Sequence, residues 1–293
     1  MKKIGWIGTG IMGLAMASNL KQAGYELTIY SRTQEKAKSL LDMGATWANS
    51  PYEVAQNSDI VFSIVGFPRD VDEVILGEKG ALAGLKEGGI VCDMTTSCPQ
   101  LAARIATEAS KKGCYGLDAP VTGGDVGAKN ASLSIFVGGK KEAYTAILPC
   151  LEAMGKSILH CGEAGMGQKA KLANQVAIAG VMFSVCESLL FAKECGLDVA
   201  KWHELVAQGA AGSTAMSVLG KRIIDNDFNP GFFLQHFRKD LGLCVEECHR
   251  MGLNLPGLAM AERAYRMLEA QGFGNSGTQV LIKSIAELSR KTW

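Results

Sequence analysis

An apolar run, Ile4-Gly-Trp-Ile7, leads directly into Gly8-Thr9-Gly10-Ile11-Met12-Gly13, after which a helical periodicity opens. The run is too short for a helix and reads as a strand. Three glycines at this spacing between a strand and a helix leave few topologies open. Gly8 permits a tight turn, Gly10 lets a ligand approach the backbone, and Gly13 lets the helix pack on the strand. The helix start offers unpaired N–H groups and a positive dipole end. Thr9, Ile11 and Met12 complete a loop suited to a pyrophosphate. A ligand-free glycine turn is the competing reading, and the joint presence of strand, turn and helix favours the dinucleotide site.

The same alternation continues. Leu27–Tyr30, Ile60–Val65 and Ile90–Cys92 read as further strands, and Ile11–Ala23, Gln34–Met43 and Gln100–Lys111 as helices. That order predicts a parallel sheet covered on both faces, which Ser134–Val137 and Ile158–Cys161 extend. From about Gly167 helical periodicity dominates, starting with a long apolar stretch at Gln168–Cys195 that reads as a buried helix. Further helices are expected near 199–208, 214–225, 234–251, 257–270 and 278–290. The expected fold is an α/β Rossmann N-terminal domain, 1–163, with an all-α C-terminal domain, 164–293.

A net charge of +1 over 293 residues, without long runs of one sign, argues against nucleic acid or an anionic membrane as partner. Glycines break the apolar stretch after Met1-Lys2-Lys3, so no signal peptide is expected there, nor an uninterrupted apolar run able to span a bilayer. The nine cysteines are scattered without a Cys-x-x-Cys pair, which fits reduced thiols and a cytoplasmic location. Cys244 and Cys248, four apart with His249 adjacent, allow a metal site, but two buried thiols fit better because nothing completes a ligand set. No metal is expected. His160, His203, His236 and His249 show neither metal nor triad spacing and read as structural.

The end of the second strand bears on which dinucleotide binds. A carboxylate for ribose hydroxyls is missing from Tyr30-Ser31-Arg32-Thr33. Arg32 suits a 2′-phosphate, with Ser31 or Thr33 donating to it, which favours NADP(H) and keeps NAD(H) as the alternative. An arginine that merely lies on the surface or stacks beside adenine gives the same sequence. Val65-Gly66, closing the third strand run, is assigned to the same cofactor site.

Three more segments carry chemistry. Asp118-Ala-Pro-Val-Thr122-Gly123-Gly124 offers a hydroxyl and bare backbone donors to a carboxylate, or is simply a proline–glycine turn. Lys171, Asn174 and Gln175 share a helix face at i, i+3 and i+4 and run into the apolar Val176–Ala179. Burial there would lower a lysine pKa toward the range of a general base, whereas a stem-packed lysine would reach water instead. Phe237-Arg-Lys239-Asp240-Leu241 places a second lysine in an apolar helix beside a counter-charge.

With these motifs assembled, the chain resembles the β-hydroxyacid dehydrogenase family, which includes 3-hydroxyisobutyrate dehydrogenase, tartronate semialdehyde reductase and the glyoxylate/succinic semialdehyde reductases. The resemblance runs through nearly the whole chain and rests on 8–13, 118–124, 165–174 and Lys239-Asp240. It implies that Lys171 is the catalytic lysine, that Thr122, Gly123 and Gly124 hold the substrate carboxylate, and that Asn174 orients the substrate. It also places Thr96 near the nicotinamide, Lys239 along the cofactor and substrate cleft, and Gly212-Ser213 as an element completing the pocket. Thr122 stands where serine is usual, Phe67-Pro68 where leucine–proline is usual, and Gln175 where a second asparagine is frequent, as in the tartronate semialdehyde reductase branch. The implied reaction is hydride transfer between NAD(P)(H) and a small β-hydroxy acid or its semialdehyde. Reduction of imines, or a non-catalytic nucleotide sensor, are the alternatives. Relatives that reduce imines usually lack the lysine at 171. The apolar helical half predicts a homodimer or homotetramer.

Overall fold

A computed structural model describes residues 2–293. The chain divides into two units, Met1–Lys171 and Leu172–Trp293. In the first, the short β-branched runs form strands because alternate residues find apolar cover on both sides. The strands are β1 (Ile4–Ile7), β2 (Leu27–Tyr30), β3 (Thr46–Trp47), β4 (Ile60–Ser63), β5 (Ile90–Asp93), β6 (Tyr115–Asp118), β7 (Val121–Thr122), β8 (Leu133–Gly138) and β9 (Gly155–Gly162). Between them lie α1 (Ile11–Gln22), α2 (Lys38–Asp42), α3 (Pro51–Gln56), α4 (Pro68–Leu76), α5 (Ala81–Gly84), α6 (Pro99–Lys111), α7 (Gly124–Lys129) and α8 (Lys141–Glu152).

The sheet order is β3-β2-β1-β4-β5-β6-β8-β7, with β9 beside β8. Strands β1 to β6 are parallel, and the chain turns antiparallel where β8 meets β6 and β7. Every residue of β1, β4 and β5 is buried. Trp6 and Phe62 point into one apolar layer with Met16 and Leu20, while Ile7 and Val61 point into the other with Val71 and Ile105. The order runs outward from β1 through β2 to β3 and then restarts at β4 on the other side. This reversal opens a crevice at the carboxyl ends of β1 and β4.

The second unit is helical: α9 (Met166–Glu194, whose start belongs to the first unit), α10 (Val199–Val206), α11 (Lys221–Ile224), α12 (Leu234–Met251), α13 (Pro256–Ala270) and α14 (Leu281–Leu288). Helices α12 and α13 meet through Phe237 and Tyr265, edge to face at 5.0 Å. The helix expected at 214–225 is a π-helical turn, Ala215–Gly220, followed by α11.

The division at 171/172 falls inside α9, eight residues later than the boundary expected at 163/164. The first turn of α9 stays with the sheet because Gln168 N within it and Gly165 N just before it both donate to Asp118. The expectation about membrane-spanning runs needs correcting. By length and composition α9 could cross a bilayer, with a mean hydropathy of 1.7 over its most apolar window. Its buried residues Met182, Val185, Cys186 and Leu189 and the buried amide of Gln175, bonded to Asp240, make it the core helix of the second unit.

Candidate functional site

The glycine turn after β1 has the geometry its spacing predicts. Gly8 has φ +99°, and a Cβ there would lie 2.1 Å from the Ile64 carbonyl oxygen. A Cβ on Gly13 would lie 2.2 Å from the Gly8 carbonyl oxygen, so α1 packs on the turn through bare backbone. Gly10 differs: a Cβ there meets nothing within 4 Å. It is the N-cap of α1, which has no side-chain cap and no acidic residue in its first turn. The N–H groups of this helix start therefore face open space, as an anion site requires.

The carboxyl ends of β2 and β4 carry further predicted groups. Ser31, Arg32 and Thr33 follow β2, and Val65-Gly66 follows β4. The Arg32 side chain is 73% exposed, with Nη1 3.4 Å from Asp70 Oδ1. Asp70 is buried and its other oxygen accepts from Phe67 N at 3.0 Å, which fixes the turn that opens α4. The pair is loose, so most guanidinium donors stay available.

A polar network underlies the loop after β5. Asp93 Oδ1 accepts from Ser63 Oγ at 2.9 Å and from Thr95 N at 3.2 Å, while Thr95 Oγ1 accepts from Val65 N at 2.9 Å. Burial, aided by the neighbouring charge of Asp118, raises the Asp93 carboxyl to about 7 despite the bonds from Thr95 and Ser63. The folded protein then retains a proton that the unfolded chain releases above its ordinary value near 3.8. Stability is thus lost as pH rises from about 4 to about 7, by on the order of 4 kcal/mol. Asparagine can accept both bonds made to Oδ1 without ever ionising. Asp93→Asn is expected to exceed the wild type in urea midpoint at pH 8 and to lose that advantage progressively as pH falls to about 3. A difference that does not change with pH would contradict this.

Beside Asp93, in register on β6, stands Asp118, also buried. Its Oδ1 accepts from Gly165 N and its Oδ2 from Gln168 N, both at 2.7 Å, so the carboxylate caps the start of α9. Burial raises its pKa while these backbone bonds lower it, and the net direction is upward. One turn further along α9 sits Lys171, 6% exposed. The expected buried lysine is thus observed, on a helix whose first turn is tied to the ends of β5 and β6.

Beyond Asp118 the chain enters β7, where Val121 and Thr122 pair with Ile135 and Ser134. Gly123 and Gly124 follow with φ +131° and +63°. Both lie in the region that favours glycine, and they present backbone N–H groups at the start of α7.

In the second unit, Asn174 Nδ2 donates to Gln175 Oε1 at 2.9 Å, and Gln175 Nε2 donates to Asp240 Oδ2 at 2.6 Å. Lys239 Nζ lies 2.9 Å from Asp240 Oδ1, and this lysine side chain is 11% exposed. Four polar residues thus form one largely buried chain. Ser213 Oγ accepts from Met216 N at 2.9 Å and caps the turn after it. Cys244 and Cys248 are both buried.

Known proteins share this whole plan. Residues 3–162 match the family described as the NAD binding domain of 6-phosphogluconate dehydrogenase. Residues 165–285 match that described as the NAD-binding of NADP-dependent 3-hydroxyisobutyrate dehydrogenase. A probable 3-hydroxyisobutyrate dehydrogenase-like 1, mitochondrial, of Arabidopsis thaliana is 52% identical over 98% of this chain and 86% of its own length. The 2-hydroxy-3-oxopropionate reductase of Escherichia coli is 35% identical over 97% of each chain. The 3-hydroxyisobutyrate dehydrogenase of Mycobacterium tuberculosis, solved with L-serine, superposes with a TM-score of 0.88 at 26% identity, covering 97% of this chain and 99% of the other. The chain belongs to the β-hydroxyacid dehydrogenase family. It is an NAD(P)-dependent hydroxyacid oxidoreductase.

Two buried hydroxyls bear on how this β-hydroxyacid dehydrogenase receives its cofactor. Thr9 Oγ1 and Ser97 Oγ have no hydrogen-bond partner among the described residues. Buried hydroxyls are rarely left unpaired. Both belong to loops at the carboxyl edge of the sheet, and together with the space at Gly10 they fit a dinucleotide lying across β1, β4 and β5. Reasoning from the sequence missed Asp93, Thr95, Ser97 and Gln168. The family resemblance singles out only Thr96 in Asp93-Met-Thr-Thr96, and the spacing of the others announces no motif. Only the pairing of β4, β5 and β6 brings these residues together.

Proposed function

We propose that this β-hydroxyacid dehydrogenase reduces a small semialdehyde or 2-oxo acid, or oxidises the matching hydroxy acid, with Lys171 as its acid–base group. The observation that carries this reading is a lysine nearly withdrawn from water on a helix anchored to the loop after β5. The nicotinamide, when bound, supplies or accepts the hydride at C4. In the oxidative direction, neutral Lys171 Nζ takes the hydroxyl proton as the hydride leaves the carbinol carbon. In reduction the ammonium returns that proton to the carbonyl oxygen. Thr122 and the backbone N–H groups of Gly123 and Gly124 bind the substrate carboxylate, and Thr96 would help hold the nicotinamide. Asn174 orients the substrate, while Gln175, expected from the sequence to join it, is buried and bonded to Asp240 and so acts by holding the Asn174 amide. Ser213 and Lys239 take the substrate and cofactor contacts that the family resemblance implies.

Within that reading NADP(H) is the preferred cofactor, because Arg32 keeps exposed donors near where a side-chain carboxylate would otherwise accept from the ribose hydroxyls. Arg32→Ala is expected to weaken NADPH binding about 10–100-fold, the worth of one or two charge-assisted bonds, and to leave NADH nearly unchanged. Paired titrations with both nucleotides decide it, and equal loss for both would remove Arg32 from the phosphate site. A panel of glyoxylate, succinic semialdehyde and tartronate semialdehyde, assayed with each nucleotide, tests the substrate class. No turnover of any of them would move the substrate to another hydroxy acid, with 3-hydroxyisobutyrate the next to assay. A homodimer or homotetramer and a cytoplasmic location complete the proposal. Phe191, Leu205 and Leu288 of the second unit are 72%, 76% and 67% exposed in the single chain, which leaves large apolar side chains uncovered.

A further inference from the structure

The turn of α9 that leads to Lys171 is held more tightly than a helix start requires. Gln168 is completely buried. Its Nε2 donates to Thr95 O and its Oε1 accepts from Ser97 N, each at 2.8 Å. One carboxamide thus pairs with two peptide groups in a single register, as a neighbouring strand would. The backbone beneath it is equally fixed, through the two bonds that Gly165 N and Gln168 N donate to Asp118. Gly167 leaves no slack, since a Cβ there would lie 2.5 Å from the Phe136 carbonyl oxygen. The partner loop is itself anchored on Asp93 and Val65 through Thr95. Lys171 follows Gln168 by three residues and so projects from nearly the same face.

We propose that Gln168 is a positioning residue: its paired amide bonds fix how far the Lys171 amine stands from the loop after β5. The proposal rests on the acid–base reading of Lys171 and adds the part that sets its reach. A general acid–base must stand within hydrogen-bond distance of its proton, and a misplacement of about 1 Å can cost about 100-fold. Gln168 touches no reacting atom and acts only through the helix it pins.

Two variants test this in the full-length enzyme. Gln168→Met keeps most of the volume and loses both bonds. Gln168→Asn keeps the amide but is one methylene too short to make both. Each is expected to lower kcat with glyoxylate or succinic semialdehyde about 10–100-fold, while KM and nucleotide Kd stay within about threefold. The isotope effect with nicotinamide deuterated at C4 should rise as the chemical step becomes limiting. A purely structural role would reduce the amount of folded enzyme but leave kcat per nucleotide-binding site unchanged, and that result overturns the proposal. If Gln168→Met does not fold, Gln168→Asn carries the same two outcomes. Lys171→Ala measured alongside separates the layers. Full kcat in Lys171→Ala defeats the acid–base reading whatever Gln168 does. Lost kcat there, with normal kcat in both Gln168 variants, defeats the positioning role alone.

Discussion

Replacing Lys171 by alanine is expected to lower kcat about 10²–10⁴-fold, the usual worth of a positioned acid–base group, while nucleotide affinity stays nearly unchanged. The side chain is 6% exposed, so its truncation also leaves a small void, and the folded fraction must be measured beside the rate. Lys171→Arg sharpens the experiment. It restores the positive charge but cannot release a proton near neutral pH. An arginine variant as inactive as alanine would show that proton transfer, rather than charge, is what the position supplies. Small exogenous amines should partly restore turnover to Lys171→Ala. Equal loss of turnover and nucleotide binding would mark the lysine as structural and remove the chemistry proposed for this site.

The glycine turn gives the second large effect, and it separates fold from ligand. Gly8→Ala would force a left-handed φ onto a residue with a Cβ and drive that Cβ against the Ile64 carbonyl. Strain and overpacking together are expected to destabilise the protein by about 3 kcal/mol, read as a fall in urea midpoint. Gly10→Ala meets nothing within 4 Å and should change stability by no more than about 0.5 kcal/mol. Its new methyl group, however, stands where the pyrophosphate must approach the backbone. Nucleotide Kd is therefore expected to rise about tenfold or more, or about 1.4 kcal/mol. A Gly10→Ala enzyme that binds NADPH and NADH normally would place the cofactor phosphates elsewhere.

Much of this was legible in the chain. Strands β1, β2, β4 and β5 stood out because each is a short β-branched run flanked by helical periodicity, and the glycines of 8–13 gave away the turn. Elements at 46–56, 68–76 and 141–152 did not, since proline starts α3 and α4, Pro149 interrupts α8, and β3 has only two residues. Lys171 was visible as a charge running into an apolar helix.

Local chemistry thus sufficed for the order of the elements, the geometry of the glycine turn and the burial of Lys171, because each is written in residues a few positions apart. Strand pairing alone could bring Ser63, Asp93 and Asp118 side by side and lay Gln168 against Thr95 and Ser97. Residues separated by 25 to 73 positions share no local signal, and their contacts exist only once the sheet has placed neighbouring strand ends together.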